Sequence, residues 1–108
     1  MHEAFQNLVT LLDGDMEAIK EISLDFRDQM HTDMPTVITH INNGDFTDAR
    51  KIAHKLKGST MNFQLPTMID AFLALESALD NGNQDSAYKY CNQILLELSN
   101  FDTLLNKL

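Results

Sequence analysis

Apolar residues in this chain return every three or four positions, the spacing that places them on one face of an α-helix. From Met16 the stripe runs through Ile19, Ile22, Phe26, Met30, Met34, Val37 or Ile38, and Ile41, and it stops at Asn42-Asn43-Gly44, a good helix end. Its phase survives Pro35, which predicts one long helix kinked at the proline. The alternative is a second helix capped by Thr32 or Asp33, since an interior proline costs about 3 kcal/mol. Asp45 as N-cap and Asp48 in the first turn then open a helix that buries Phe46, Ala49, Ile52, Ala53, Leu56, Thr60 and Phe63. Pro66 suits the first turn of the next helix, which carries Met68, Phe72, Leu75 and Leu79 to Asp80-Asn81-Gly82. Asn83 caps the last, whose inward residues are Ala87, Cys91, Ile94, Leu98, Phe101 and Leu105. A short amphipathic stretch, Ala4 to Leu12, precedes them all, and nothing reads as a strand.

Four amphipathic helices joined by short turns bury their stripes best as an antiparallel up-down four-helix bundle, with the N-terminal helix covering one end. The fold class is therefore all-α, and residues 1–108 are expected to form a single domain. Eight basic residues stand against 16 acidic ones, a net charge of −8, so the chain repels phosphate backbones and anionic membrane surfaces. Neither nucleic acid nor a membrane is an expected partner. The longest apolar run, Ala71 to Leu75, falls far short of the roughly 18 residues of a membrane span. One cysteine, Cys91, allows no internal disulfide and fits a reducing compartment. These features predict a cytoplasmic protein without a large cofactor. Met1 and the domain-sized length suggest one that stands alone, and a monomer is expected.

The composition changes abruptly at Arg50-Lys51-Ile52-Ala53-His54-Lys55-Leu56-Lys57-Gly58-Ser59, which holds four of the eight cationic side chains. Residues three and four apart share a helix face, so Arg50, His54, Lys57, Gly58 and Met61 line up opposite the buried stripe. Gly58 costs roughly 1 kcal/mol relative to Ala inside a helix, and a bare backbone one turn after an exposed histidine permits close approach there. An imidazole offers a neutral nitrogen nucleophile near pH 7, and neighbouring cations offset phosphoryl charge. The combination suits a phosphate acceptor, although a merely solvated basic face has the same composition.

The segment His54-Lys55-Leu56-Lys57-Gly58-Ser59, preceded by Ala53 and followed by Leu75-Glu76, resembles the signature His-x-Leu-Lys-Gly-Ser of the histidine-containing phosphotransfer (HPt) domains of multistep phosphorelays. The resemblance spans nearly the whole chain. It implies that His54 is the phosphoacceptor, taking a phosphoryl group on Nε2 from a receiver-domain aspartate of a hybrid sensor histidine kinase and passing it to a response regulator. It further implies that Lys57 helps hold phosphate charge and that Gly58, with Ser59 beside it, lets the partner dock. Glu76, 22 residues after the acceptor, would bond His54 Nδ1 and set the tautomer. Arg50, Lys51, Lys55 and Met61 are further candidates for partner contact, Lys51 and Lys55 through steering towards an acidic receiver pocket that carries its own Mg²⁺. The chain itself has no nucleotide loop, so neither ATP binding nor autophosphorylation is expected. One position departs from the pattern: Gln64 stands where the family usually has a glycine, which puts the path of that turn in question.

The remaining histidines form no expected site. His2 is terminal, and His31 and His40 lack partners at metal-ligand spacing, so no metal is expected. A di-metal bundle needs Glu-x-x-His on two helices, and the chain offers only Asp28-Gln29-Met30-His31. A helical adaptor that binds a receiver or kinase domain without accepting phosphate is the main alternative function.

Overall fold

The computed structural model describes all of residues 1–108 and contains helices but no strand. A 3₁₀ turn, Glu3–Phe5, leads into α1 (Gln6–Leu11), followed by α2 (Met16–Asn42), α3 (Phe46–Thr60), α4 (Pro66–Asp80) and α5 (Gln84–Leu105). The N-terminal helix is thus shorter than the expected Ala4 to Leu12, its first residues being wound more tightly. No helix is long and apolar enough to cross a membrane.

Each long helix packs on two others: α2 on α3 and α5, and α4 on α3 and α5. The α2 helix runs unbroken through Pro35, which rules out the two-helix alternative. Pro35 is exposed, so the carbonyl that its missing N–H leaves free is on the water side of the helix. At 27 residues α2 is about 40 Å long, and it accounts for the 43 Å long axis of the molecule.

Two of the helix ends share one device. Gly44 and Gly82 take φ of +76° and +65°, a region closed to most L-residues. The next N–H then reaches back to the third-last helical carbonyl, Asp45 N–H to His40 O at 2.8 Å and Asn83 N–H to Ala78 O at 2.9 Å. This Schellman arrangement satisfies carbonyls the helix end would otherwise leave free and reverses the chain within two residues. Asn83 caps α5 as expected, its Oδ1 accepting from Ser86 N–H at 3.1 Å. Asp45 does not cap α3 with its side chain; its Oδ2 turns instead towards His40 Nδ1, 3.6 Å away on the last turn of α2.

The buried faces match the apolar stripes with small differences. Ile22, Ile38, Phe46 and Ile52 are only half-buried, whereas Ser23 joins the core by donating to Ile19 O at 2.6 Å. At one end Phe5, Phe26, Phe63 and Phe101 form an aromatic cluster with ring centroids 4.7 to 6.2 Å apart. The N-terminal segment closes this end by burying Phe5 and Leu8. Gln64 holds that segment in place: its N–H donates to Ala4 O at 2.9 Å and its Nε2 to Asn7 Oδ1 at 3.1 Å. Its φ is negative, so the turn needs no glycine, and the departure at this position gives the N-terminal segment an anchor.

Phe63 touches every other ring of the cluster, so Phe63→Ala is expected to cost about 3–5 kcal/mol. Urea unfolding followed by circular dichroism measures it; a loss below about 1 kcal/mol would mean that the cluster is not the keystone of this end.

Candidate functional site

Ala49, Ala53, Leu56 and Thr60 turn one face of α3 into the core, which leaves Arg50, His54 and Gly58, spaced four apart, along another. His54 lies near the middle of α3 with 63% of its side chain exposed. Its Nδ1 is 3.1 Å from Glu76 Oε1 on α4. A carboxylate only accepts hydrogen bonds, so the pairing assigns the proton to Nδ1 and leaves the lone pair of the neutral ring on Nε2. Nε2 has no partner within the protein, and none of the surface clefts is lined by His54. The nucleophilic nitrogen is therefore presented outward without a pocket of its own.

Glu76 sits on the flank of the apolar face of α4, between Leu75 and Leu79 and one turn beyond Phe72, and only 9% of its side chain is exposed. A buried carboxylate is costly unless it is paired. Here the pairing is dense. Lys57 Nζ lies 3.1 Å from Oε1 and 3.2 Å from Oε2, and an Arg50 terminal nitrogen lies 3.7 Å from Oε2. Arg50 also meets Asp80, with Nε 2.8 Å from Oδ1, although the N–H is not aimed well enough at the oxygen to make a hydrogen bond.

Lys57 is the residue whose placement differs from expectation. It belongs to the flank of α3 that meets α4, with only 14% of its side chain exposed. Its aliphatic stem packs along the helix boundary and its ammonium is engaged by Glu76. The other candidates are more open. Lys51 is exposed and makes no ion pair, and Lys55 is 68% exposed with Nζ 4.0 Å from Asp33 Oδ2 on α2. Ser59 Oγ donates a long 3.4 Å bond to Lys55 O within its own helix. Met61 caps the end of α3, exposed, and shares a shallow cleft with Asn7, Thr10, Leu11 and Asn62. Leu11 is a neighbour that sequence periodicity did not single out, because α1 reaches Met61 only through the folding of the N-terminal segment. Asp80 was missed for a similar reason, although its spacing of four from Glu76 mirrors that of Arg50 from His54.

Gly58 is exposed, its φ is ordinary for a helix, and a Cβ built on it would meet no other atom within 4 Å. Nothing in the fold of this chain requires glycine there. What the glycine leaves open is the surface one turn beyond His54.

The other histidines do have partners. His31 Nε2 lies 2.8 Å from Asp102 Oδ2 and ties α2 to α5. His40, Asp45 and Asp48 bring ligand-capable atoms within 4.8 Å of one another, a grouping that linear spacing did not reveal. Two of the three are exposed, and the positive end of the α3 dipole opposes a cation there. Cys91 is buried in the core, and burial pushes its thiol from an ordinary 9.0 up to about 11.

In comparison with known families, the family model described as Hpt domain aligns with residues 21–104, which include every residue of the His54–Glu76 cluster. No curated protein and no solved structure matches the chain.

The Cys91 thiol yields a pH prediction. In the folded state it keeps its proton until about pH 11, whereas in the unfolded chain it ionises near 9.0, so its contribution is full below 9.0 and lost as pH rises towards 11. The stability difference between wild type and Cys91→Ala is expected to narrow by about 2–3 kcal/mol across that window, measured by urea unfolding at several pH values.

Proposed function

Because the chain belongs to the Hpt domain family, with residues 21–104 matching its model, we propose that it is a phosphorelay intermediate whose acceptor is His54. The family is one of histidine phosphotransfer modules of two-component signalling that lack kinase activity. The finer reading is that His54 Nε2 takes a phosphoryl group from a receiver-domain aspartyl phosphate of a hybrid sensor kinase. It then delivers that group to the aspartate of a response regulator. The observation that carries it is the 3.1 Å contact between His54 Nδ1 and a buried carboxylate, with Nε2 left unpartnered on an exposed ring.

The transfer follows from that geometry. The Nε2 lone pair forms a bond to phosphorus while the phosphorus–oxygen bond to the partner's aspartate breaks, and the leaving carboxylate keeps the electron pair. The proton stays on Nδ1. The imidazole ring gains positive charge as the bond forms, and Glu76, held against Nδ1 in a site with little water, stabilises it. Lys57 is the cation closest to hand for the incoming phosphoryl oxygens. Without a pocket of its own, His54 has to enter the partner's, where the receiver's Mg²⁺ supplies most of the stabilisation of transferring charge. Open space at Gly58 supports docking against that side of α3, with Ser59 and Met61 further along and Lys51 and Lys55 as exposed steering charges.

The bundle that presents the site is read as antiparallel and up-down, with residues 1–108 as one domain. The short Schellman turns support this, as does the order of contacts between α3 and α4: Arg50 meets Asp80, His54 meets Glu76 and Thr60 meets Met68, so partners recede along α4 as α3 advances.

The test mixes the protein with a radiolabelled, aspartyl-phosphorylated receiver domain and Mg²⁺. Acid-labile, alkali-stable label is expected on the wild type and not on His54→Gln. Absence of label on folded wild type with several receivers would favour the adaptor instead. Lys57→Ala is expected to slow transfer more than Lys51→Ala, and equal time courses would remove the specific role of Lys57. Gly58→Ala is expected to stabilise the fold by up to about 1 kcal/mol while slowing transfer, since its Cβ intrudes only on the partner. A Gly58→Ala variant that transfers at the wild-type rate would show that the partner does not approach there.

A further inference from the structure

Lys57 faces two demands that one ammonium cannot meet together. In the resting structure it is bound to both oxygens of Glu76 at 3.1 and 3.2 Å and is largely shielded from water. In the transfer proposed above it has to meet the phosphoryl group arriving at His54 Nε2, on the side of the ring away from Glu76. If it turns outward, the Glu76 carboxylate loses its closest cation while still buried, and an uncompensated buried charge is strongly destabilising.

Arg50 is placed to resolve this conflict. It lies one turn before His54 on α3 and faces Glu76 and Asp80, which are one turn apart on α4. Its Nε contacts Asp80 Oδ1 at 2.8 Å, and a terminal nitrogen of the same guanidinium stands 3.7 Å from Glu76 Oε2. The Asp80 carboxylate, 2.8 Å from Nε, holds the planar guanidinium by charge at the α3–α4 boundary and keeps its terminal nitrogens beside Glu76. The oxygens of Glu76 are thereby divided: Oε1 serves His54 Nδ1 and Oε2 faces Arg50, with Lys57 against both.

We infer that Arg50, anchored by Asp80, is a positioning residue that holds the Glu76 carboxylate against His54 Nδ1 and thereby releases Lys57 to the phosphoryl group. The inference rests on His54 being the acceptor. It assigns Arg50 a role different from docking or steering, which a half-buried cation at the edge of this face otherwise suggests. Arg50 never touches the phosphoryl group; it acts through Glu76. The tautomer of His54 and the rate of the chemical step therefore depend on it, whereas the affinity for the partner does not.

Two readouts on the intact protein test this. The first is the ¹⁵N–¹H correlation pattern of the His54 ring at a pH where the imidazole is neutral, which reports the Nδ1–H and Nε2–H tautomers. The second is the rate of phosphoryl acceptance as a function of the concentration of aspartyl-phosphorylated receiver. Arg50→Met, which keeps the side-chain length and removes the charge, is expected to give a mixture of tautomers. It should lower the saturating rate about tenfold and leave the half-saturating concentration unchanged. Arg50→Lys, which keeps the charge but loses the fork, should recover only part of that rate, and Asp80→Asn, which loosens the anchor but keeps the arginine, should likewise fall between wild type and Arg50→Met. Should Arg50→Met fail to fold by circular dichroism, Asp80→Asn with Arg50→Lys carries the test.

An unchanged tautomer pattern with an unchanged saturating rate would overturn the inference, and a rise in half-saturating concentration alone would mark Arg50 as a docking residue. A wild type that accepts no phosphate would refute the proposed function, and the tautomer pattern would still decide whether Arg50 positions Glu76.

Discussion

The burial of one carboxylate governs the functional face of this molecule. Glu76 lies on α4 where an apolar residue would pack at no electrostatic cost, and its neighbours are arranged around the need to compensate it: His54, Lys57 and Arg50 all come from α3. Because three donors on one helix converge on one acceptor on the next, the register between α3 and α4 is tied to the orientation of the imidazole. A buried ion cluster of this kind adds little to stability compared with hydrophobic packing. Its contribution is directional, since it sets which ring nitrogen holds the proton and which faces outward.

The rest of the fold keeps that arrangement rigid and accessible. The core sides of α3 and α4 are packed with Ala49, Ala53, Leu56, Phe72, Leu75 and Leu79, which hold the backbones at the separation that the 3.1 Å contact requires. His54 nevertheless remains on the outside, on a cationic island in a chain of net charge −8. Local positive charge at the site combined with overall negative charge would orient any acidic partner towards α3 and away from the other faces. Gly58 and the exposed Met61 end of the helix leave that approach unobstructed. The aromatic cluster and the Gln64 anchor close the end of the molecule beside Met61, so the N-terminal segment contributes Leu11 to the same neighbourhood.

Much of this was legible without coordinates. The stripes on α2 to α5 follow from the 3.6-residue period, the helix ends at Gly44 and Gly82 from the need for positive φ, and the pairing of Glu76 with His54 Nδ1 from family resemblance. The misreadings have a common form. Asp45 was expected to cap α3 and faces His40. Lys57 was placed with the solvent face and is engaged at the helix boundary. The carboxylate neighbours of His31 and His40, Asp102 and Asp45, were likewise not visible from spacing along the chain. In each case the deciding neighbour lies on another helix or across a turn, beyond what spacing along the chain can report. Gln64 is the clearest instance: the expected glycine marked a turn, but what glutamine adds is a side-chain hydrogen bond, Nε2 to Asn7 Oδ1, to a residue near the start of the sequence.

The amino-acid sequence by itself determined the helices, their inward faces, the cationic island and the histidine at its centre. These depend on local backbone preference and on side chains three or four residues apart. Only the tertiary structure decided which cations sit on Glu76 and that Arg50 stands against Asp80 as well. Those outcomes depend on the register and separation of α3 against α4, which are set by packing across the whole core. A change of a single ångström there, invisible in the sequence, makes or breaks each contact of the site.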